Sequence, residues 1–111
     1  MQQLYHKIVN YIYENYSEPL LTNQMITDFF RYHPCYLGKI FITVKAKTLY
    51  QYIEAYRIKV AKELLITTDF DINSIAWKVG YNSTYYFIKW FSHQAGITTK
   101  AYKTKNIIDV L

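Results

Sequence analysis

The chain has 111 residues, a length that suits one domain. Its hydrophobic share of 51% suffices for a packed core and argues against wholesale disorder. Thirteen Lys and Arg against eight Asp and Glu leave a net charge of +5, which suits a polyanionic partner, and the single cysteine, Cys35, excludes an intrachain disulfide.

The order of hydrophobic residues predicts helices throughout, with no convincing strand. Tyr5, Ile8, Val9, Ile12 and Tyr16 recur at helical spacing. Ser17-Glu18-Pro19 ends that helix, because the residue before proline is pushed out of the helical region. Thr22 is the expected cap of a second helix reaching about Arg31. His33-Pro34 opens a third, with Leu37, Ile40 and Phe41 turned inward. Thr48 and Gln51 have the spacing of a capping box and open the longest helix, with Leu49, Ile53, Tyr56, Val60 and Leu64 on one stripe. Asp71 caps a fifth helix over Ile72–Val79, and Gly80 supplies a turn. Asn82 caps a sixth helix, with Phe87, Trp90 and Phe91 inward, that Gly96 ends. Thr98 starts a short last helix to about Lys103, and the tail from Thr104 is expected to fray.

Residues 71–102 form the most informative stretch. A short helix, a glycine turn and a second helix with one obligatory buried side make the form of a helix-turn-helix. Ile75 and Ala76 sit at the expected helix crossing, and Val79 closes the core before the turn. Phe87 and Phe91 bury one side of the following helix, which leaves Thr84, Tyr85, Ile88, Lys89, Ser92 and His93 on its other faces. Lysine can donate to guanine N7 and O6, and threonine can pack on a thymine methyl. The solvated face of an ordinary bundle would carry similar residues, and chemistry alone leaves both readings open. A weaker copy lies 50 residues earlier: Tyr36-Leu37-x-Lys39-Ile40-Phe41 matches Tyr86-Phe87-x-Lys89-Trp90-Phe91. The long helix between the copies suggests two subdomains joined by a rod.

Residues 72–102 resemble the C-terminal signature of the AraC/XylS family of bacterial transcription regulators. The matching residues are Ile75-Ala76, Val79-Gly80-Tyr81, Tyr86-Phe87, Lys89, Phe91, Gly96 and Tyr102. The likeness continues through Tyr52-Ile53, Arg57, Ala61 and Leu64-Leu65, and more weakly through Tyr36-Leu37 and Phe41. It implies an all-α fold of seven helices forming two helix-turn-helix subdomains joined by a long linker helix. The first subdomain covers about residues 5–47, the linker 48–67, the second subdomain 71–103 and a tail 104–111. It further implies sequence-specific binding of double-stranded DNA, with recognition helices over about Pro34–Lys45 and Ser83–Gln94 in successive major-groove segments.

Carried over position by position, the resemblance places base contacts at Cys35, Gly38 and Lys39 in the first reader and at Thr84, Tyr85, Ile88 and Lys89 in the second. It places phosphate contacts at Tyr36, Thr43, Lys45, Lys78, Ser83 and Lys100. The first copy departs from the pattern: Thr27 lies near the family's alanine, Ala46 replaces its glycine, and Gly38 removes a side chain from the first reading face. Thr99 stands for the usual proline and Lys103 for the usual arginine. The second reader is therefore expected to carry more of the discrimination.

The other residues point to no chemistry. His6, His33 and His93 lack ligand spacing, so neither a metal nor a cofactor is expected, and no nucleophile–base pair suggests an enzyme. Trp77 and Trp90 read as core or half-buried packing, Asp69 and Asp71 as loop and cap residues, and Arg57 as an inter-helix or phosphate contact. Thirteen tyrosines fit an AT-rich coding genome, or an aromatic binding surface. The start of the chain has no leader-like apolar run and no stretch approaches the ~20 apolar residues of a membrane span, so a cytoplasmic location is expected. The remaining expected partners are RNA polymerase and an accompanying sensing, receiver or dimerisation domain. A helical protein-interaction or effector-binding module without DNA binding is the alternative.

Overall fold

The computed structural model describes the backbone of residues 2–19, 21 and 23–110, with the side chains of Gln2 and of residues 106–110 outside that set. Among the described residues there are seven helices and no strands: α1 (Gln2–Asn15), α2 (Asn23–Phe30), α3 (Pro34–Lys45), α4 (Leu49–Thr67), α5 (Ile72–Lys78), α6 (Thr84–Ala95) and α7 (Thr99–Val110). None of the described helices is long and apolar enough to cross a membrane.

Local chemistry explains most of the boundaries. The His33 imidazole accepts from the Cys35 amide at 3.1 Å and Pro34 fills the first position of α3. Thr48 and Gln51 form the expected reciprocal capping box of α4, at 3.0 and 2.9 Å. The Asp71 carboxylate accepts from the Ser74 amide at 2.7 Å, a bond that holds its pKa below the ordinary value. Thr98 accepts from the Ala101 amide at 3.0 Å and starts α7. Helices α3 and α6 both end on a left-handed residue, Ala46 (φ 56°) and Gly96 (φ 78°), which stand 50 positions apart like the readers themselves.

Two boundary expectations change, and a third cannot be compared. Thr22, the expected cap of α2, lies outside the described residues. Ser83, not Asn82, caps α6, because its hydroxyl reaches the Tyr86 amide at 3.3 Å. Helix α7 runs to Val110 rather than ending near Lys103, since residues 103–110 contain no glycine or proline to stop it.

Two apolar cores form, one at each end of α4. The first gathers Ile8, Val9 and Ile12 of α1, Ile26 of α2 and Leu37, Ile40 and Phe41 of α3 around Leu49 and Ile53. The second gathers Ile75, Ala76, Val79, Phe87 and Phe91 around Ile58, Ala61 and Leu65. The single stripe expected along α4 is therefore wrong in its second half: Val60 and Leu64 are only half-buried. At ~100° per residue the two buried sets of α4 lie on faces roughly 130° apart, which one stripe cannot describe.

Between the cores lies a buried polar cluster. Arg57, 5% exposed, donates from Nε to the Tyr16 carbonyl at 2.9 Å and from Nη2 to the Glu18 carbonyl at 2.9 Å. Its Nη1 pairs with Glu54 Oε1 at 3.2 Å, and Glu54 Oε2 accepts the Tyr81 hydroxyl at 2.5 Å. Burial, and then that bond to the Glu54 carboxylate, raise the Tyr81 pKa well above its ordinary 10.0. Arg57 thus resolves as an inter-helix tie rather than a phosphate contact. Among the described residues no buried side-chain nitrogen or oxygen lacks a partner.

Candidate nucleic-acid interface

Each of the two repeat-related helices, α3 and α6, is held by its apolar side. On α6, Phe87 and Phe91 are fully buried, and each anchors against a further ring: Tyr81 at 5.4 Å from Phe87 and Tyr102 at 5.5 Å from Phe91. Their burial turns Tyr85 (72% exposed), Ile88 and Lys89 outward, with Ser92 beside them. At ~100° per residue these four side chains span an arc of about 100° away from the core. Thr84 sits at the edge of that arc. Its hydroxyl donates to Asn73 Oδ1 of α5 at 2.6 Å, so both helices of the second unit meet at Thr84.

On α3, Leu37, Ile40 and Phe41 are buried, and Cys35, Lys39 and Thr43 are exposed on the other side. Gly38 lies among them, and a Cβ there would meet nothing within 4 Å. A groove of about 690 Å³ runs beside it, bordered by Cys35, Gly38, Lys39, Thr43 and the start of α4 at Thr48 and Leu49. Tyr36 is exposed beside Tyr32, with ring centroids 5.3 Å apart.

The repeat holds in three dimensions. Leu37 and Phe87 are both buried, as are Phe41 and Phe91, while Lys39 and Lys89 are both exposed on the outward side. The remaining candidates divide by setting. Lys45 is exposed at the end of α3 and Lys100 at the start of α7, whereas the Lys78 ammonium lies 4.8 Å from the Phe70 ring centroid. The Ser83 hydroxyl already serves as the cap of α6.

Two residues of this surface escaped the sequence reading. Ile42, 52% exposed, shares the outward face of Gly38 and Lys39; its spacing of three and four residues from them was the available signal. Asn73 is exposed on α5, and its contact with Thr84 across eleven residues carries no local signal. Trp77, expected to be core or half-buried, is 66% exposed, because Ile75 and Ala76 take the buried side of α5. Trp90 is half-buried as expected.

A family model described as a helix-turn-helix domain matches residues 26–105. Over 96 residues the chain is 33% identical to the bifunctional transcriptional activator/DNA repair enzyme AdaA of Bacillus subtilis, covering 86% of this chain and 45% of that protein. Over 102 residues it is 29% identical to the uncharacterized HTH-type transcriptional regulator YpdC of Escherichia coli, covering 92% of this chain and 35% of that protein. The chain therefore spans less than half the length of these two relatives. Among solved structures, the C-terminal domain of the two-component response regulator yesN from Fusobacterium nucleatum superposes with a TM-score of 0.87 at 29% identity, covering 91% of this chain and 98% of that one. The matched helix-turn-helix model, the two repeat-related readers and these regulators agree: the chain belongs to the AraC/XylS family of helix-turn-helix DNA-binding domains.

Proposed function

We propose that this domain binds duplex DNA sequence-specifically as the output part of a bacterial transcription regulator, with α3 and α6 in successive major-groove segments. One observation carries the reading. Two helices related by the internal repeat each bury one side and hold a lysine, Lys39 or Lys89, at the equivalent place on the exposed side. The longest dimension of the domain, 46 Å, accommodates the ~34 Å between adjacent major-groove segments.

In this reading the base contacts come from Cys35, Gly38 and Lys39 and from Thr84, Tyr85, Ile88 and Lys89. Tyr36, Thr43, Lys45, Lys78, Ser83 and Lys100 contact phosphates, which position the domain without reading sequence. Because Gly38 offers no side chain, the second reader carries more of the discrimination. The domain acts by binding rather than catalysis, in the cytoplasm. The greater length of the relatives fits a longer regulator in which a sensing, receiver or dimerisation domain accompanies this one and RNA polymerase is the downstream partner.

Anisotropy titrations on duplexes selected from a random library test this. If Lys45, Lys78 and Lys100 each neutralise a phosphate, affinity falls about forty-fold between 50 and 200 mM salt, from a slope of ~0.9 per phosphate. Lys89→Ala is expected to lose more discrimination between selected and scrambled duplex than Lys39→Ala. Weak binding to every duplex, insensitive to salt, would instead identify a protein-interaction module. A larger loss for Lys39→Ala would reverse the ranking of the readers.

A further inference from the structure

We infer that the buried Glu54–Arg57–Tyr81 cluster sets the angle between the two readers, and with it the half-site spacing that the domain accepts. This rests on the two-groove reading above.

The cluster joins three bodies. Arg57 takes the carbonyls of Tyr16 and Glu18, just beyond the end of α1 in the first subdomain. Glu54 and Arg57 belong to the linker helix α4. Tyr81 belongs to the turn two residues before the Ser83 cap of the second reader. An unbroken run of hydrogen bonds thus leads from the first head, through the linker, to the base of α6.

It ties the cores together: the Tyr81 ring packs in the second core while its hydroxyl reaches Glu54 of the linker. Each core is closed mainly by its own apolar residues, and Tyr16 packs, partly buried, against both. Apolar contact is non-directional, so it resists separation of two bodies better than it resists their rotation. Hydrogen bonds to carbonyl and carboxylate oxygens are directional. A buried ion pair is weak evidence for net stability, and its best-attested use is to specify one arrangement over others. Gly80 adds a steric stop, since a Cβ there would collide with the Tyr16 carbonyl oxygen and lie 2.8 Å from Arg57 Nε. The turn of the second unit therefore rests directly on the end of α1 and on Arg57. These three side chains are positioning residues, buried away from both reading faces.

The test uses a duplex selected by the wild-type domain, with one base pair then inserted or removed between its half-sites. Each change turns one half-site by about 35° relative to the other and shifts it by ~3.4 Å. The wild type should lose at least tenfold in affinity on the altered duplexes. In Tyr81→Phe and Arg57→Lys this penalty should shrink below threefold, while affinity for the unaltered duplex falls. A cluster that only stabilises the fold would lower melting temperature and affinity but leave the spacing penalty unchanged. Variants that melt cooperatively and keep the wild-type penalty within twofold overturn the inference. Tyr81→Phe decides if Arg57→Lys does not fold, and a Tyr81→Phe that cannot fold also counts against it. A wild-type domain without preference for any duplex fails the DNA reading itself, whereas spacing-sensitive wild type with unchanged variants fails this inference alone.

Discussion

Gly80 and Gly96 offer a controlled comparison of backbone strain with steric collision. Both have positive φ, at 98° and 78°, so alanine at either position incurs a left-handed cost of roughly 1–2 kcal/mol. At Gly96 nothing lies within 4 Å of the new Cβ. At Gly80 the methyl would collide with the Tyr16 carbonyl and approach Arg57 Nε to 2.8 Å and Cζ to 3.1 Å. Either the end of α1 moves or Arg57 withdraws from the two carbonyls it binds, and a hydrogen bond from a charged donor contributes about 1.5–3 kcal/mol. Gly80→Ala should therefore cost ~4–8 kcal/mol, against ~1–2 for Gly96→Ala. For a domain whose whole stability is about 5–15 kcal/mol, the first is close to unfolding and the second is tolerated. Urea denaturation followed by helical circular dichroism measures both, with slopes compared to show that the unfolding reaction is unchanged. Losses equal within about 1 kcal/mol would refute the argument, because the collision would then add nothing to the shared strain.

Two further substitutions test local chemistry. Ala46 ends α3 at φ 56°, so Ala46→Gly should gain about 0.5–1 kcal/mol after the entropic cost of glycine, read as a higher melting temperature; a lower one contradicts the reading. Asp71 has a lowered pKa in the folded chain, through its bonds with Ser74. Its contribution is therefore present above the ordinary value of 3.8 and is lost as pH falls through the lowered value. Asp71→Ala should melt below the wild type at pH 7, and the gap should begin to close below about pH 3.8 and vanish beneath the lowered value; a gap independent of pH would show that the carboxylate is not the cap.

Residues whose partners lie within a turn or two were the legible ones. Phe87 and Phe91, four apart, defined the inner side of α6 and hence its outer side. Thr48 with Gln51, and Asp71 ahead of Ile72, announced helix starts that the structure reproduces. Ser83 competed with Asn82 for the same cap, and a difference of one residue is not decided by composition. The face change within α4 was hidden because Val60 and Leu64 continue the first stripe as plausibly as Ala61 and Leu65 begin the second. The polar cluster was out of reach for a different reason. Arg57 meets partners 41 and 39 residues away, and Glu54 meets Tyr81 across 27, separations at which spacing says nothing. On the outward face of α3, apolar character hid Ile42, since an isoleucine on a helix reads first as core.

Helix α4 presents its two cores on faces that differ by roughly 130°, and this makes its length as consequential as its composition. One residue added between Ile53 and Ile58 would swing everything downstream by ~100° and advance it by ~1.5 Å. A base-pair step in the duplex is only about 35°. No small adjustment of the target could follow such a jump. On the proposed two-groove reading, natural variation in domains built this way is channelled: substitutions on the outward faces of α3 and α6 retune what is recognised, while insertions and deletions within the connecting helix are closed as a route to new targets.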